Sequence, residues 1–493
     1  MPDAPADHDR SPQGPAVPAT VAAAAIAEDA GRIDLSSPRS VHVVGIGGAG
    51  MSAIAEVLVA MGHRVSGSDL KESTGLARLR ALGVPVAIGH DGANLAPGTD
   101  FVAISTAIPD RNPEVRAAVE AGVPVVRRAA LLAAIASTRR TIAVAGTHGK
   151  TTTSSMLALV LMEAGVHPSF IIGGDVNEIG TGAAWDDGEL FVIEADESDG
   201  SGFAPRRHGC IVTSVEPDHL EFHGSVEALH AAFRDFLDGT PGPRVVCADD
   251  PVAARLAAEA GATTYGTSPD AEHRIVDLTS GRVGVSFTLE HRGEPLGRIS
   301  LPVPGAHNAR NACAAAVMGL ALGAPFEAAA AALGRFAGVA RRFQFRGEAG
   351  GVTFVDDYAH LPSEVEAALG AALDGGWRRV VVVFQPHRFS RTQALWPDFA
   401  DAFVGADLLV VTDVYPAGEA PRPGVSGKLV LEAVLDAHPR QPAAYMPRRA
   451  DVTAYLLATL RPGDLCLTLG AGDLTAVPDD VLERLAAAAP LAS

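Results

Sequence analysis

Cysteine is scarce in this chain: four residues among 493, at positions 210, 247, 313 and 466. No two lie close together and there is no C-x-x-C, which argues against a zinc site and a disulfide framework and makes the cytoplasm the default setting. Positive charge is short as well, with 39 Lys and Arg against 58 Asp and Glu and a formal net charge of −19. That deficit argues against a sequence-independent grip on nucleic acid or an anionic membrane, so phosphorylated ligands must be met by local donors and metal. No apolar run approaches the length of a membrane-spanning helix; the best candidates are short segments such as MLALVLM from Met156, so membrane insertion is not expected. A basic leader is missing too, since Asp3, Asp7 and Asp9 precede or flank Arg10, the only early cation. Residues 1–38, rich in Pro, Ala and Asp, read as a disordered tail. Tandem repeats of the solenoid kind are absent.

What is present is alternation. β-Branched runs alternate with Ala/Leu-rich helical patterns almost to the end, the habit of parallel sheets covered by helices, and the length suits two to four domains. The fold class expected is α/β, in three groups: residues 39–137, 138–338 and 339–493. The first opens with VHVVGIGGAG, a strand leading into G-x-G-x-x-G at Gly45, Gly47 and Gly50, with Asp69 19 positions beyond Gly50. This satisfies the dinucleotide fingerprint of an NAD-linked oxidoreductase. Its physics is less specific, because glycines that let backbone N–H groups approach a helix N-terminus would cradle any nucleotide diphosphate.

The strongest local signal opens the second group. In AVAGTHGKTTT a strand ends at Ala145, Gly146, Thr147, His148 and Gly149 form a loop, and Lys150 and Thr151 start a helix. The lysine can reach terminal phosphates and the threonine hydroxyl can ligate Mg²⁺. Val144 stands where the usual phosphate loop has its first glycine. A dehydrogenase has no need of such a loop, so the Gly45 loop reads better as the holder of a nucleotide-bearing substrate.

Acidic and imidazole groups then follow strand ends: Glu194, Asp196, Glu197 and Asp199 in FVIEADESD, and Glu216, Asp218, His219 and His223 in SVEPDHLEFH. Both clusters fall on the sheet edge that carries the phosphate loop, where Mg²⁺ needs only one or two protein carboxylates. Taken singly, His219 reads as a polar loop residue or helix cap, and Asp196 to Asp199 as a solvated turn. In the third group DDYAHLPSE (Asp356, Asp357, Tyr358, His360) and FQPHRFSRT (His387, Arg388, Arg391) also follow strands. Arginine suits a carboxylate or phosphate and histidine can take a proton from an amine, though each motif alone reads equally as a loop with surface ion pairs.

Together GIGGAGMS, AGTHGKTTT, EADESD, EPDH, PGAHNARNA, ARRFQFRGE, DDYAH, FQPHRFSRT and VYPAGEAP, in that order over nearly everything from Val41 onward, resemble the Mur ligases. The resemblance implies a Rossmann-like UDP-binding domain, a central P-loop ATPase-like domain and a C-terminal Rossmann-like domain. It implies a cytoplasmic monomer or homodimer of peptidoglycan precursor synthesis, with ATP and Mg²⁺ as cofactors. The lactyl carboxylate of UDP-N-acetylmuramate would attack the γ-phosphate of ATP, and L-alanine would displace phosphate from the resulting acyl phosphate.

By the same resemblance the UDP moiety falls to Gly45, Gly47, Gly48, Gly50, Ser68, Asp69, Ser105 and Thr106. ATP falls to Gly146, Thr147, His148, Gly149, Lys150, Thr151, Thr152, His307, Asn308, Asn311 and Arg342, and the metal to Thr151, Glu194 and His219. Tyr358, His360, Arg388 and Arg391 would form the amino-acid site, with Lys150, His360, His387, Arg388 and Arg391 in catalysis. Two departures stand out. Leu361 occupies a position that is often a second histidine, and Phe233 replaces the lysine that later-acting ligases carbamylate, which favours the alanine-adding type. The rival within the family attaches a preformed peptide to the same UDP-sugar; the arginines of FQPHRFSRT favour alanine.

Overall fold

The computed structural model describes residues 26–27, 33–196, 203, 205–218 and 220–488. The chain divides into two compact units, residues 1–138 and 139–493.

The first unit is built on a six-stranded sheet in the order Ile26–Ala27, Val125–Arg127, Phe101–Ile104, Ser40–Val44, Arg64–Asp69, Val86–Ile88. Every pairing is parallel. The order reverses beside Ser40–Val44, and the Gly45 loop leaves its carboxyl end at that switch point, where open α/β sheets bind ligands. Part of the expected tail is drawn in: Ile26 and Ala27 pair with Val125 and Val126, and Asp34 meets Arg39. Short β-branched and apolar segments find partners that composition alone does not reveal.

The second unit holds two sheets. The ten-stranded one has Arg140–Ala145 at its centre, between Gly209–Val212 and Leu190–Glu194, both parallel to it. The strand-like region near its end is an antiparallel extension, His273–Gly281, Gly284–His291 and Glu294–Leu301. Helices Lys150–Glu163 and Ala306–Ala321 cover this sheet. The second is rich in alanine, with Ala309, Ala312, Ala314, Ala315 and Ala316 all fully buried, so its backbone can lie close to its neighbours.

The other sheet has six strands in the order Gln344–Ala349, Val352–Asp357, Asp464–Leu469, Arg379–Phe384, Leu408–Val411, Ala443–Tyr445. Only the first pair is antiparallel. Its strand Arg379–Phe384 is apolar on both faces, as burial between helices requires, with Val380 to Phe384 almost wholly enclosed. Among the described residues, no helix is long and apolar enough to cross a membrane.

Candidate active site

In the first unit Gly45 has φ +75°, a conformation that favours glycine, and its N–H and that of Ile46 donate to the Ser68 carbonyl at 2.8 and 3.0 Å. Gly47 N–H donates to Asp69 Oδ2 at 2.9 Å. Asp69 therefore holds the glycine loop in shape with one oxygen. Ser68 contributes through its carbonyl, because its hydroxyl is fully buried and donates to Glu114 Oε2 at 2.6 Å. Glu114 is itself buried, and Asn94 donates to its other oxygen at 2.5 Å. Burial alone would raise its pKa, but the His42 imidazole 3.7 Å away and hydrogen bonds from Ser68 and Asn94 hold it at about 2. Ser105 and Thr106 follow the adjacent strand, and Ile108 from the same loop would lie 3.1 Å from a Cβ placed on Gly45. Gly50 packs against Arg128, whose Nη1 would be 2.9 Å from an added Cβ. Gly48 precedes the helix Ala49–Ala60 as its cap, so the first-turn N–H groups face the loop.

In the second unit the phosphate loop has the expected strand, turn and helix. Gly149 caps Lys150–Glu163 at φ +75°, and a Cβ there would lie 2.5 Å from Asn311 Oδ1, so both backbone and space require glycine. The Lys150 ammonium curls over the loop and donates to the carbonyls of Gly146 at 2.6 Å and Thr147 at 3.3 Å. Thr151 Oγ1 donates to Glu194 Oε1 at 3.1 Å, and Gly173 N–H donates to Oε2 at 2.8 Å. Desolvation pushes the Glu194 carboxyl up, opposed by Lys150. A hydroxyl and a desolvated carboxylate beside a phosphate loop are the hard oxygen donors that Mg²⁺ prefers. His219, Glu197 and Asp199 lie outside the described residues.

A cavity of about 540 Å³ opens beside the loop. His148, Gly149, Thr152, His307, Asn308, Asn311 and Arg342 line it, which brings together residues expected at a nucleotide from three separate stretches of sequence. Gly146, Thr147, Lys150 and Thr151 are not on its wall. Asn308 donates to the Pro304 carbonyl at 2.7 Å, so part of its amide shapes the helix start. Burial, with Arg310 and Arg342 nearby, lowers His307 to about 4, leaving it neutral. Burial raises Asp357 to about 6 against the pull of Arg342. The wall also includes Cys247, Asp249 and Tyr265, which lie in no motif, and Arg310 of PGAHNARNA, to which no role was given.

At one end of the cavity four side chains meet. His148 Nδ1 is 3.3 Å from Glu364 Oε1, and its Nε2 is 3.2 Å from Glu216 Oε2 and 3.0 Å from Ser363 Oγ. Ser363 donates to Glu216 at 2.8 Å. Desolvation would lower the His148 pKa, but hydrogen bonds to Glu216 and Glu364 win and raise it to about 9, so the imidazole is a cation at neutral pH.

The expected amino-acid residues also converge. The His360 ring lies edge-on to Tyr358 and 5.6 Å from His387, which stacks on Tyr415 at 5.8 Å. His360 Nδ1 is 3.0 Å from the Tyr358 carbonyl, which assigns the proton to Nδ1 and the lone pair to Nε2. Burial lowers both imidazoles, His387 to about 3 with help from His360 and Arg391. Arg391 donates to His387 Nδ1 at 3.2 Å and to Asp218 at 3.5 Å. Arg388, at φ +67°, caps the helix Phe389–Leu395. Leu361 is buried at the cap of the helix Pro362–Leu373, and Phe233 is buried against Phe203. Sequence reasoning gave no role to Arg128, nor to Ser363 and Glu364 although both lie in DDYAHLPSE; for Glu364 the available signal was a glutamate two residues past Pro362, at the third position of a helix.

Family models match three consecutive stretches: Mur ligase family, catalytic domain, over residues 40–140; Mur ligase middle domain over 144–319; and Mur ligase, glutamate ligase domain, over 341–472. The chain is 47% identical over 450 residues to the UDP-N-acetylmuramate–L-alanine ligase of Solidesulfovibrio magneticus, covering 90% of this chain and 98% of that one. It is 44% identical over 456 residues to the protein of that name from Pelotomaculum thermopropionicum, covering 92% and 98%. In three dimensions it is similar to the UDP-N-acetylmuramate–alanine ligase of Thermotoga maritima, with TM-score 0.78, 29% identity, and coverage of 91% of this chain and 100% of that one. A murein peptide ligase from Psychrobacter arcticus shares the fold, with TM-score 0.68, 23% identity, and coverage of 92% and 100%.

Proposed function

The chain belongs to the Mur ligase family, and on that premise we propose that it joins L-alanine to the lactyl carboxylate of UDP-N-acetylmuramate, with ATP consumed and ADP and phosphate released. The observation that carries the reading lies within the second unit. A phosphate loop at the carboxyl edge of one sheet and a cluster of neutral histidines with arginines at the carboxyl edge of the other are bridged by Arg391 and Asp218.

The chemistry follows from those groups. ATP phosphates would meet the loop N–H groups, Lys150 and Arg342, whose charges offset the negative charge of the γ-phosphoryl group as the carboxylate attacks it. Thr151 and Glu194 suit Mg²⁺, with His219 as a further candidate; bound there, the ion would neutralise phosphate charge. L-Alanine would lie with its carboxylate on Arg388 or Arg391, beside Tyr358. The Nε2 lone pair of His360 is free to take the proton that the ammonium must lose before the amine can attack, and burial keeps that imidazole neutral. Attack at the acyl carbon gives a tetrahedral intermediate that expels phosphate. An acyl phosphate hydrolyses in water, so an enclosed site protects the intermediate. The UDP moiety would be held by the first unit, at the Gly45 loop and the Ser105–Thr106 segment. We assign the chain to the cytoplasm, as a monomer or homodimer with no nucleic-acid partner.

Phosphate release with ATP and UDP-N-acetylmuramate, compared across L-alanine, glycine, L-serine and a tripeptide, tests this. L-Alanine is expected to support the fastest release; release with the tripeptide alone would overturn the reading.

A further inference from the structure

Glu364 closes the DDYAHLPSE stretch, where no role was given to it, and its two oxygens face two different parts of the site. Oε2 accepts the N–H groups of His360 at 2.9 Å and Leu361 at 3.2 Å and lies 3.3 Å from His360 Nδ1. Oε1 lies 3.3 Å from Nδ1 of His148, on the phosphate loop 216 residues away in sequence. Its side chain is 13% exposed and that of His148 is 21% exposed, so water screens the pair weakly.

His148 cannot move independently of its loop. Its N–H donates to Ser214 Oγ at 3.0 Å and its carbonyl accepts from Thr213 Oγ1. Its Nε2 is held by Glu216 and Ser363. The carboxylate therefore lies between two groups that are each fixed to a reacting centre: the loop that would carry ATP phosphates and the histidine that would receive the alanine proton. A helix cap alone needs only the Oε2 contacts. The Oε1 contact is surplus to capping and crosses from one sheet of the unit to the other.

We propose that Glu364 is a positioning residue which, by bridging His148 and His360, couples nucleotide occupancy of the phosphate loop to binding of the amino acid. The proposal rests on the ligase reading. A nucleotide that draws His148 toward its phosphates changes the hold on Glu364, and through it the setting of His360; reciprocity requires the amino acid to change nucleotide affinity by the same factor.

The test uses the full chain with UDP-N-acetylmuramate present. Affinity for a non-hydrolysable ATP analogue is measured with and without L-alanine, for the wild type and for Glu364→Gln, His148→Gln and the double variant. Glutamine keeps an oxygen able to cap the helix but removes the charge that faces His148. Wild type is expected to bind the analogue at least about fivefold more tightly with L-alanine present. Both single variants should bring that ratio close to one, and the double variant should do no worse than either. In turnover, Glu364→Gln should raise KM for L-alanine by about tenfold or more, with KM for UDP-N-acetylmuramate unchanged. A structural role alone predicts a retained ratio alongside a lowered melting temperature. A wild-type ratio of one, or an unchanged ratio in Glu364→Gln, would overturn the proposal. If Glu364→Gln does not fold, His148→Gln decides, since a lost ratio supports the bridge and a retained one overturns it. Alanine-dependent phosphate release by the wild type is checked first; its absence would overturn the ligase reading itself.

Discussion

Replacing His148 with glutamine should alter stability in a way that depends on pH. In the folded chain the imidazole lies between Glu364 and Glu216, and its pKa is about 9 against an ordinary value of 6.5. The folded state thus binds more protons than the unfolded state between those values. The group's contribution is full below pH 6.5 and is lost as pH rises through 9. A displacement of this size corresponds to roughly 3 kcal/mol at pH 6, since each pKa unit is about 1.4 kcal/mol. For a unit this large that equals about 3 to 6 °C in melting temperature. Glutamine can accept and donate hydrogen bonds at the same place but carries no charge. Scanning calorimetry of wild type and His148→Gln from pH 6 to pH 10 should therefore find a gap that is largest at pH 6 and shrinks toward its pH-independent remainder. A gap that is constant across this range would refute the charged clasp.

Lys150→Ala should lower turnover by about two orders of magnitude or more, the loss expected when a group that stabilises transition-state charge is removed. UDP-sugar affinity measured by calorimetry should stay within about twofold, because the two glycine loops lie in separate units; parallel loss of both would contradict that separation. Glu114→Ala should destabilise the first unit by about 2 to 4 kcal/mol in urea unfolding, since Ser68 and Asn94 lose a buried acceptor. The folded pKa of Glu114 is depressed to about 2, so the stability it supplies is present above pH 4.5 and fades as pH falls through 2. A loss below about 0.5 kcal/mol at pH 7 would contradict the burial argument.

The alternation of β-branched runs with alanine-rich helices was legible because parallel strands buried on both faces must be apolar throughout, as in Val380 to Phe384. The two glycine loops were legible because φ values of +75° at Gly45 and Gly149 are the ones glycine tolerates. What sequence could not convey is which partner a polar side chain chooses. Ser68 turns its hydroxyl inward to Glu114, 46 residues away, and Asp69 holds Gly47. Glu364 reaches a residue 216 positions distant. Such pairings depend on how sheets are arranged, and nothing periodic in the chain encodes them. Ile26 and Ala27 gave no sign of joining a sheet because two residues are too few for any pattern.

In the proposed reaction the lactyl carboxylate of UDP-N-acetylmuramate is activated as an acyl phosphate before the amine attacks. Labelling that carboxylate with ¹⁸O and analysing the phosphate released during turnover with L-alanine tests it most directly. Expulsion of phosphate breaks the bond to the acyl carbon and carries the bridging oxygen with it. ¹⁸O is expected in the released phosphate; amide product formed alongside unlabelled phosphate would rule out the acyl phosphate.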